Sequence, residues 1–292
     1  MTDLLIIPIL NKQCSLFQGP TFFVSNDCYI EKLTDDEHSA FFRDAPEPIK
    51  NNLDLNNTKC IKIKNPTVNE KNFRNLKTKI TFSLNLFSDN FPVVTSWCGH
   101  LNGDKKFKLK NIYEFESLAG FHKISNKHFK LLKTTKRSTL IQFFDIVQKA
   151  IANNELASFT LEKYNSALLR DDFLDKLLDS TICFETMTPG NVELVFRLSQ
   201  NISFIVGTNA AERLEIFDKM KLLYDVRSKL VHGDLNEKAL RKVEEVKNDW
   251  ANYEKYLRSA VTYYLLFLSS NKKEDWEQHI KELVLGTQNK IV

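Results

Sequence analysis

The chain changes its pattern of apolar residues near residue 135, and this change limits the possible folds more than any other feature of the sequence. Before it, short apolar runs alternate with turn residues, which is typical of β-strands. After it, apolar residues recur at helical spacing with few glycines or prolines, which is typical of amphipathic helices. The sequence therefore predicts an α+β protein, in which a β-rich domain over residues 1–134 precedes an all-α bundle over residues 135–292.

Six apolar runs predict the strands of the first domain, and two stretches, at 61–63 and 80–86, alternate apolar with polar residues. Because alternation leaves one face of a strand to water, we expect antiparallel pairing. The predicted strands cover residues 4–10, 21–30, 60–64, 79–87, 91–97 and 106–115. Lysines interleaved with aromatic residues between positions 105 and 136 favour either a phosphate-binding face or a solvated one. The sequence leaves both readings open.

Helical periods and capping residues divide the second part into separate helices. Asn209 and Glu212 resemble a capping box, and Ser138, Asn191 and Asn236 are expected to cap the helices that follow them. The predicted helices cover residues 138–153, 161–169, 171–187, 192–206, 210–232 and 236–268, with a further short helix in the tail.

Two of these helices carry specific packing predictions. The helix at 192–206 is apolar around much of its circumference, so we expect it at the buried centre of the bundle. The helix at 236–268 would extend ~48 Å, longer than a bundle needs, which favours packing of part of it against a partner. The predicted helices at 210–232 and 236–268 also have inward-facing residues, which include Leu214, Phe217, Met220, Leu223, Leu230, Leu240, Val243, Val246, Tyr253, Leu257 and Tyr264.

Composition indicates a soluble cytoplasmic protein without a membrane segment. Hydrophobic residues make up 42% and charged residues 27% of the chain, and no apolar run approaches the ~20 residues of a membrane span. The five cysteines are an odd number without a Cys-x-x-Cys pair, and the histidines near Cys98 match no metal motif. We therefore expect reduced thiols and no metal site. The net charge of +4 permits a local nucleic-acid site without requiring one.

The segment at 222–234 reads Leu-Leu-Tyr-Asp-Val-Arg-Ser-Lys-Leu-Val-His-Gly-Asp and ends a predicted helix. Gly233 is a natural residue to follow a helix, so His232 is expected in the last turn, where the negative helix end favours imidazolium. Arg227 lies ~140° from His232 around an ideal helix, whereas Tyr224 and Ser228 share a stripe with the histidine. A guanidinium and an imidazole this close together suit metal-free cleavage of RNA.

The extended string Tyr-x-x-Arg-Ser-Lys-x-x-His-Gly resembles the signature of the HEPN superfamily, and most of all its Apea-like branch, which is linked to bacterial anti-phage defence. The order of helices from about Arg137 onward resembles the same family, so the resemblance covers roughly the last half of the chain. It implies a metal-independent endoribonuclease that needs no cofactor. It also implies that two HEPN domains pair in a homodimer to complete the site.

The resemblance assigns roles to five residues. Arg227 would clamp the phosphate and His232 would act as general acid or base. Ser228 would orient the imidazole or bind a phosphate oxygen, and Lys229 and Tyr224 would contact RNA, although Tyr224 is equally suited to packing.

Two further questions stay open. The motif also fits the capped end of an ordinary helix, or a non-catalytic HEPN module that dimerises and binds nucleic acid, nucleotide or a partner protein. Glu185 is expected to pair with Arg197 or Arg227, or to be a structural helix carboxylate.

Overall fold

The computed structural model describes the helical part of the chain almost continuously and the first part in short pieces. The described residues are 4–8, 21–23, 28–32, 34–35, 39, 59–64, 98–101, 107–110, 137–190, 192–234 and 236–287. Contacts divide the chain into two units, Met1–Asp145 and Ile146–Val292, and each is described by itself. The predicted domain boundary near residue 135 stays a prediction.

Within the described part of the first unit, six strands form one antiparallel sheet in the order β2-β3-β4-β1-β5-β6. They are β1 (Leu4–Pro8), β2 (Thr21–Phe23), β3 (Cys28–Lys32), β4 (Lys59–Lys64), β5 (Cys98–Leu101) and β6 (Phe107–Lys110). The expected antiparallel pairing is therefore present, but the predicted strand at 21–30 is two strands, and β5 was not predicted. The predicted strands at 79–87 and 91–97 lie outside the described residues. The β-rich character of residues 1–134 as a whole stays a prediction.

Lys62 in β4 corrects the expectation that the polar residues of this strand face water. Its side chain is almost fully buried, and its Nζ lies 3.0 Å from Oε2 of Glu31 on the neighbouring strand β3. A buried ammonium requires such a partner because the loss of hydration is otherwise uncompensated. Alternation in the sequence shows which residues share a face, but not whether that face is covered.

The described residues from 137 to 285 are helical, as expected for the second part of the chain. They form eight α-helices and one short 3₁₀ turn, Lys273–Asp275. The helices are α1 (Arg137–Asn153), α2 (Glu155–Leu169), α3 (Phe173–Thr186), α4 (Leu194–Val206), α5 (Ala210–His232), α6 (Glu237–Asn248), α7 (Trp250–Ser270) and α8 (Trp276–Leu285).

The capping predictions for Asn209 and Asn236 are confirmed, because each side chain accepts a hydrogen bond from the first turn of the helix that follows it. The side chain of Asn209 accepts from the backbone N–H of Glu212, and that of Asn236 accepts from Ala239. The carboxylate of Glu212 reaches back to the N–H and hydroxyl of Thr208 rather than to Asn209, so the box is shifted by one residue. These local bonds satisfy orphan N–H groups at each helix start.

Other helix starts were predicted wrongly. Helix α1 already includes Arg137, so Ser138 lies inside its first turn. Helix α2 begins six residues before the predicted Leu161, because Asn154 caps it by accepting from Leu156. Helix α4 begins at Leu194 after Glu193, whose φ of 51° is left-handed, while the predicted cap Asn191 lies outside the described residues. The first residue of an apolar run does not show where a helix begins when a polar turn of the same helix precedes that run.

The long helix predicted at 236–268 is two helices separated at Asp249. The Asp249 carboxylate lies 2.7 Å from Nζ of Lys219 and accepts a hydrogen bond from Asn252, which holds the chain at the break. The ring of Trp250 then packs edge-on against Phe173 with centroids 5.1 Å apart. The length argument for a partner along this helix therefore no longer applies.

Helix α4 packs against α3, α5, α7 and α8, as expected for the centre of the bundle. Leu198, Ile202 and Ile205 of α4 are buried there, together with most of the predicted stripe in α7. Two predicted inward-facing leucines are instead exposed, Leu214 at 65% and Leu240 at 51%. Both lie near the start of their helices, where the neighbouring helices leave the apolar flank uncovered.

Candidate functional site

The end of helix α5 has the geometry that the motif predicts. His232 is the last helical residue and is exposed, and Gly233 follows with φ 76° and ψ 13°. The N–H of Gly233 donates to the carbonyl of Leu230, and that of Asp234 to the carbonyl of Lys229 at 2.9 Å. This is a Schellman motif, which requires the left-handed conformation that glycine adopts without strain. The last turn therefore presents His232 to solvent.

Arg227 lies against the end of helix α3, where Glu185 is the penultimate residue. Nη2 of Arg227 is 3.3 Å from Oε1 of Glu185, and the two side chains are only 24% and 21% exposed. Arg197, the other expected partner of Glu185, donates instead to the carbonyl of Pro189. The structure therefore selects the Glu185–Arg227 pair from the alternatives that the sequence left open.

This ion pair is close but poorly aligned. Among the described residues, Oε1 of Glu185 and Nε of Arg227 are both buried and have no hydrogen-bond partner. Burial raises the pKa of Glu185 above its ordinary value, although the positive charge of Arg227 acts in the opposite direction. The ion pair with Glu185 therefore does not satisfy the Nε donor of Arg227.

Tyr224 lies beside Arg227, one helical turn earlier on α5. The guanidinium carbon of Arg227 is 5.6 Å from the centroid of the tyrosine ring, within the range of a cation–π interaction. Burial, with the negative charge of Glu185 adding to it, raises the pKa of the Tyr224 hydroxyl, which stays protonated. Tyr224 therefore supports Arg227 by packing and still offers a hydrogen-bond donor at the partly exposed surface.

Ser228 and His232 lie one turn apart on the outer side of α5. Ser228 is half-buried and His232 is exposed, and the four-residue spacing places them on one stripe of the helix. Neither side chain hydrogen-bonds another residue of the described chain, so both are accessible to a substrate. The predicted bond from Ser228 to the imidazole is not present.

Lys229 belongs to a second charged cluster on the opposite edge of α5. Oδ2 of Asp225 accepts from Nζ of Lys229 and from Nζ of Lys242, a residue of α6, each at 2.6 Å. Asp225 and Lys229 thus form an ion pair between residues four positions apart on α5. Burial opposes ionisation of Asp225, but the two lysine hydrogen bonds outweigh it and lower the pKa of the carboxyl. The hydrogen bond to Asp225 in turn raises the pKa of Lys242.

The sequence did not identify Lys242 as part of the site. It lies 17 positions from Asp225 in the chain and on a separate helix, and its only sequence signal is a basic residue beside an apolar stripe. The structure thus divides the five predicted site residues into three groups. Arg227 and Tyr224 lie at the α3 edge of α5, Lys229 lies at the α6 edge, and Ser228 and His232 lie between the two edges.

Two other features, a metal site and a membrane span, are absent from the described residues. In that part of the chain, no three histidine, cysteine or carboxylate side chains come together in a group that would hold a metal ion. None of the helices described is both long and apolar enough to cross a membrane.

Known protein families, curated protein sequences and solved structures were also compared with the chain. No family model, no curated sequence and no solved structure matches it. The interpretation of the site therefore depends on its own geometry and on the resemblance of the motif.

Proposed function

We propose that the chain is a metal-independent endoribonuclease of HEPN type. The observation that carries the proposal is that one short stretch of α5 places Ser228 and His232 on its outer side and Arg227, whose side chain is 24% exposed, at the neighbouring α3 edge. The resemblance of the surrounding string to the Apea-like HEPN signature points to the same activity. Bacterial anti-phage defence or toxin-like RNA cleavage in the cytoplasm is the corresponding biological role.

RNA supplies its own nucleophile in the 2′-hydroxyl, so the protein needs a proton acceptor, a proton donor and a cation at the phosphate. In the proposed reaction, the 2′-oxygen attacks phosphorus and loses its proton to a base, while the bond to the 5′-oxygen breaks and that oxygen receives a proton. The products are a 2′,3′-cyclic phosphate and a 5′-hydroxyl. His232 transfers protons, Arg227 binds the negative charge that develops on the non-bridging phosphate oxygens, and Ser228 or Tyr224 hydrogen-bonds one of these oxygens.

The proposal includes a homodimer through the helical part of the chain. A single α5 offers one imidazole, whereas the reaction needs both an acid and a base. In the proposed dimer the second copy covers Val231 beside His232 and Leu240 on α6, which are exposed apolar residues. A β-rich first domain that presents RNA or senses a trigger completes the proposed arrangement.

The decisive experiment is cleavage of end-labelled RNA by the full chain in the presence of EDTA. We expect Arg227→Ala and His232→Ala each to reduce the cleavage rate by about 100-fold or more, because each removes a group that acts in the transition state. Arg241→Ala is the matched control, since this exposed arginine pairs with Glu237 in its own helix. Its activity should equal that of the wild type.

Three results would contradict the proposal. Equal cleavage by the wild type and both site variants would show that Arg227 and His232 do not form the active site. Loss of wild-type cleavage in EDTA would refute the metal-independent mechanism. Products that carry a 5′-phosphate and a 3′-hydroxyl would exclude the 2′-hydroxyl as nucleophile.

One observation favours a second candidate, a non-catalytic HEPN module that dimerises and binds nucleic acid, nucleotide or a partner protein. Arg227 and Lys229 are paired with Glu185 and Asp225 within the chain, which suits a structural role. A wild-type protein that is dimeric and binds RNA, but cleaves none of the RNAs offered, would support this candidate.

A further inference from the structure

The Asp225 cluster consists of Asp225 and Lys229 on α5 and Lys242 on α6, and it holds two ammonium groups around one carboxylate. Two ammonium groups, Lys229 Nζ and Lys242 Nζ, donate to the same carboxylate oxygen at 2.6 Å each, so they lie no more than twice that distance apart. One carboxylate between two lysines leaves a net positive charge. The three side chains remain between 26% and 38% exposed, so the ammonium groups keep donors for another anion.

The position of the cluster relative to Arg227 follows from helix geometry. Arg227, Ser228 and Lys229 are consecutive, and each step turns ~100° around the helix. The contacts of Arg227 with α3 and of Lys229 and Asp225 with Lys242 of α6 place the two cations at opposite edges of α5, while Val226 between them in the core is buried. Ser228 therefore lies on the exposed arc between a cation on each side.

We propose that Lys229 and Lys242 form a second phosphate subsite, and that single-stranded RNA crosses α5 at Ser228 from the Arg227 edge to the lysine edge. With its side chains a helix is ~10–12 Å wide, so the two edges bind different phosphates of the strand. This inference rests on the proposed function, because it takes the phosphate at Arg227 as the one that is cleaved.

The alternative course, along the axis of α5, meets unsuitable side chains. Towards the start of the helix the exposed arc carries Asp218 and Leu214, an acidic and an apolar residue. Lys221 lies on the same arc, but its Nζ is 5.6 Å from the ring centroid of Phe217. Near the lysine subsite, Glu245 is an opposing charge that acts on Lys242 besides Asp225. Cations thus line the crossing path better than the axial path.

A binding measurement tests the subsite independently of catalysis. The full chain with His232→Ala would be titrated with a fluorescein-labelled uridine hexanucleotide, and anisotropy would be followed at several salt concentrations. Adding Lys242→Ala should weaken binding several-fold and reduce the slope of log affinity against log salt by about 0.7, the contribution of one single-strand phosphate contact. Lys242→Arg should restore both. Lys247→Ala is the control, because Lys247 lies on the same helix in an exposed pair with Glu244.

A kinetic comparison tests the direction of the strand. With His232 intact, Lys242→Ala should raise KM for the hexanucleotide more than for a dinucleoside monophosphate, which has only the cleaved phosphate. Equal affinity and equal salt slope for Lys242→Ala and Lys247→Ala would overturn the subsite, even if the wild type cleaves RNA. Weakened binding by Lys242→Ala in a protein that cleaves no RNA would instead retain the subsite and refute the endoribonuclease. A wild type that neither binds nor cleaves RNA would refute both.

Discussion

At each edge of helix α5 a carboxylate pairs with a basic residue of the motif. The pKa values of the two carboxyl groups are nevertheless shifted in opposite directions. At the α3 edge, burial raises the pKa of Glu185 despite the neighbouring Arg227. At the α6 edge, the hydrogen bonds of Lys229 and Lys242 lower the pKa of Asp225 despite burial. Proximity of opposite charges therefore does not by itself decide the ionisation of a side chain.

The difference arises from alignment and number of donors. Asp225 accepts two short hydrogen bonds from two ammonium groups, whereas Glu185 has one contact at 3.3 Å that is not an aligned hydrogen bond. Hydrogen bonds to the charged form favour ionisation, and loss of hydration opposes it. The Asp225 carboxylate at the α6 edge is thus well satisfied by hydrogen bonds, whereas at the α3 edge Oε1 of Glu185 and Nε of Arg227 are buried without a hydrogen-bond partner among the described residues.

The largest effect is expected from the core that positions the α3 edge. Phe184, which precedes Glu185, is fully buried. Phe184→Ala should lower the free energy of unfolding by about 3–5 kcal/mol, because it removes buried surface and leaves a cavity. The measurement is urea unfolding of the full chain followed by far-UV circular dichroism.

Phe159→Ala is the control for this substitution, since that ring is 42% exposed. Its loss of stability should be clearly smaller. Equal losses for the two variants would contradict the burial of Phe184 beside the α3 edge.

A smaller effect is expected at the α6 edge. The folded-state pKa of Asp225 is lowered, so its stabilising contribution is present above the unfolded-state pKa and is lost as pH falls through the folded-state pKa. Asp225→Asn should therefore lower the free energy of unfolding at pH 7 by about 0.5–1 kcal/mol, after allowance for solvent screening. The difference from the wild type should shrink in acid. Unfolding in urea at pH 7 and at pH 3 measures it, and a loss that does not depend on pH would contradict the ion-pair origin.

The smallest change in the free energy of unfolding is expected for substitution of Glu185, and its pH dependence should be opposite to that of Asp225. The folded-state pKa is raised, so its stabilising contribution is present below the unfolded-state pKa and is lost as pH rises through the folded-state pKa. At pH 7 Glu185→Gln should leave stability unchanged or raise it by less than about 0.5 kcal/mol. Urea unfolding at pH 7 beside the Asp225→Asn variant provides the comparison.

Glu277→Gln serves as the exposed control, because Glu277 pairs with Lys281 one turn away on α8. If Glu185→Gln destabilises the protein more than Asp225→Asn does, the contrast between the two edges is wrong. A carboxyl titration by NMR would then show a Glu185 pKa below its ordinary value.

Local interactions explain which predictions from the sequence were correct. Helix α5 has the predicted bounds, Ala210–His232, because local hydrogen bonds define both of its ends. Asn209 caps its start, and the turn at Gly233 closes its end through bonds between residues at most five positions apart. The helical character of the second part and the place of His232 in the last turn follow from the same kind of local bond. The β-rich first domain, the RNA substrate and the homodimer stay predictions that the experiments above address.

The sequence by itself thus determined the helix of the motif, the spacing of its residues and the chemical types that it presents. Tertiary structure decided the rest: the break at Asp249, the exposure of Leu214 and Leu240, and the identity of the charged partners. Glu185 and Lys242 reach α5 from other helices, so only the packing of those helices selects them. The reason is that capping bonds join neighbours in the chain, whereas burial and ion pairing depend on residues that are distant in sequence.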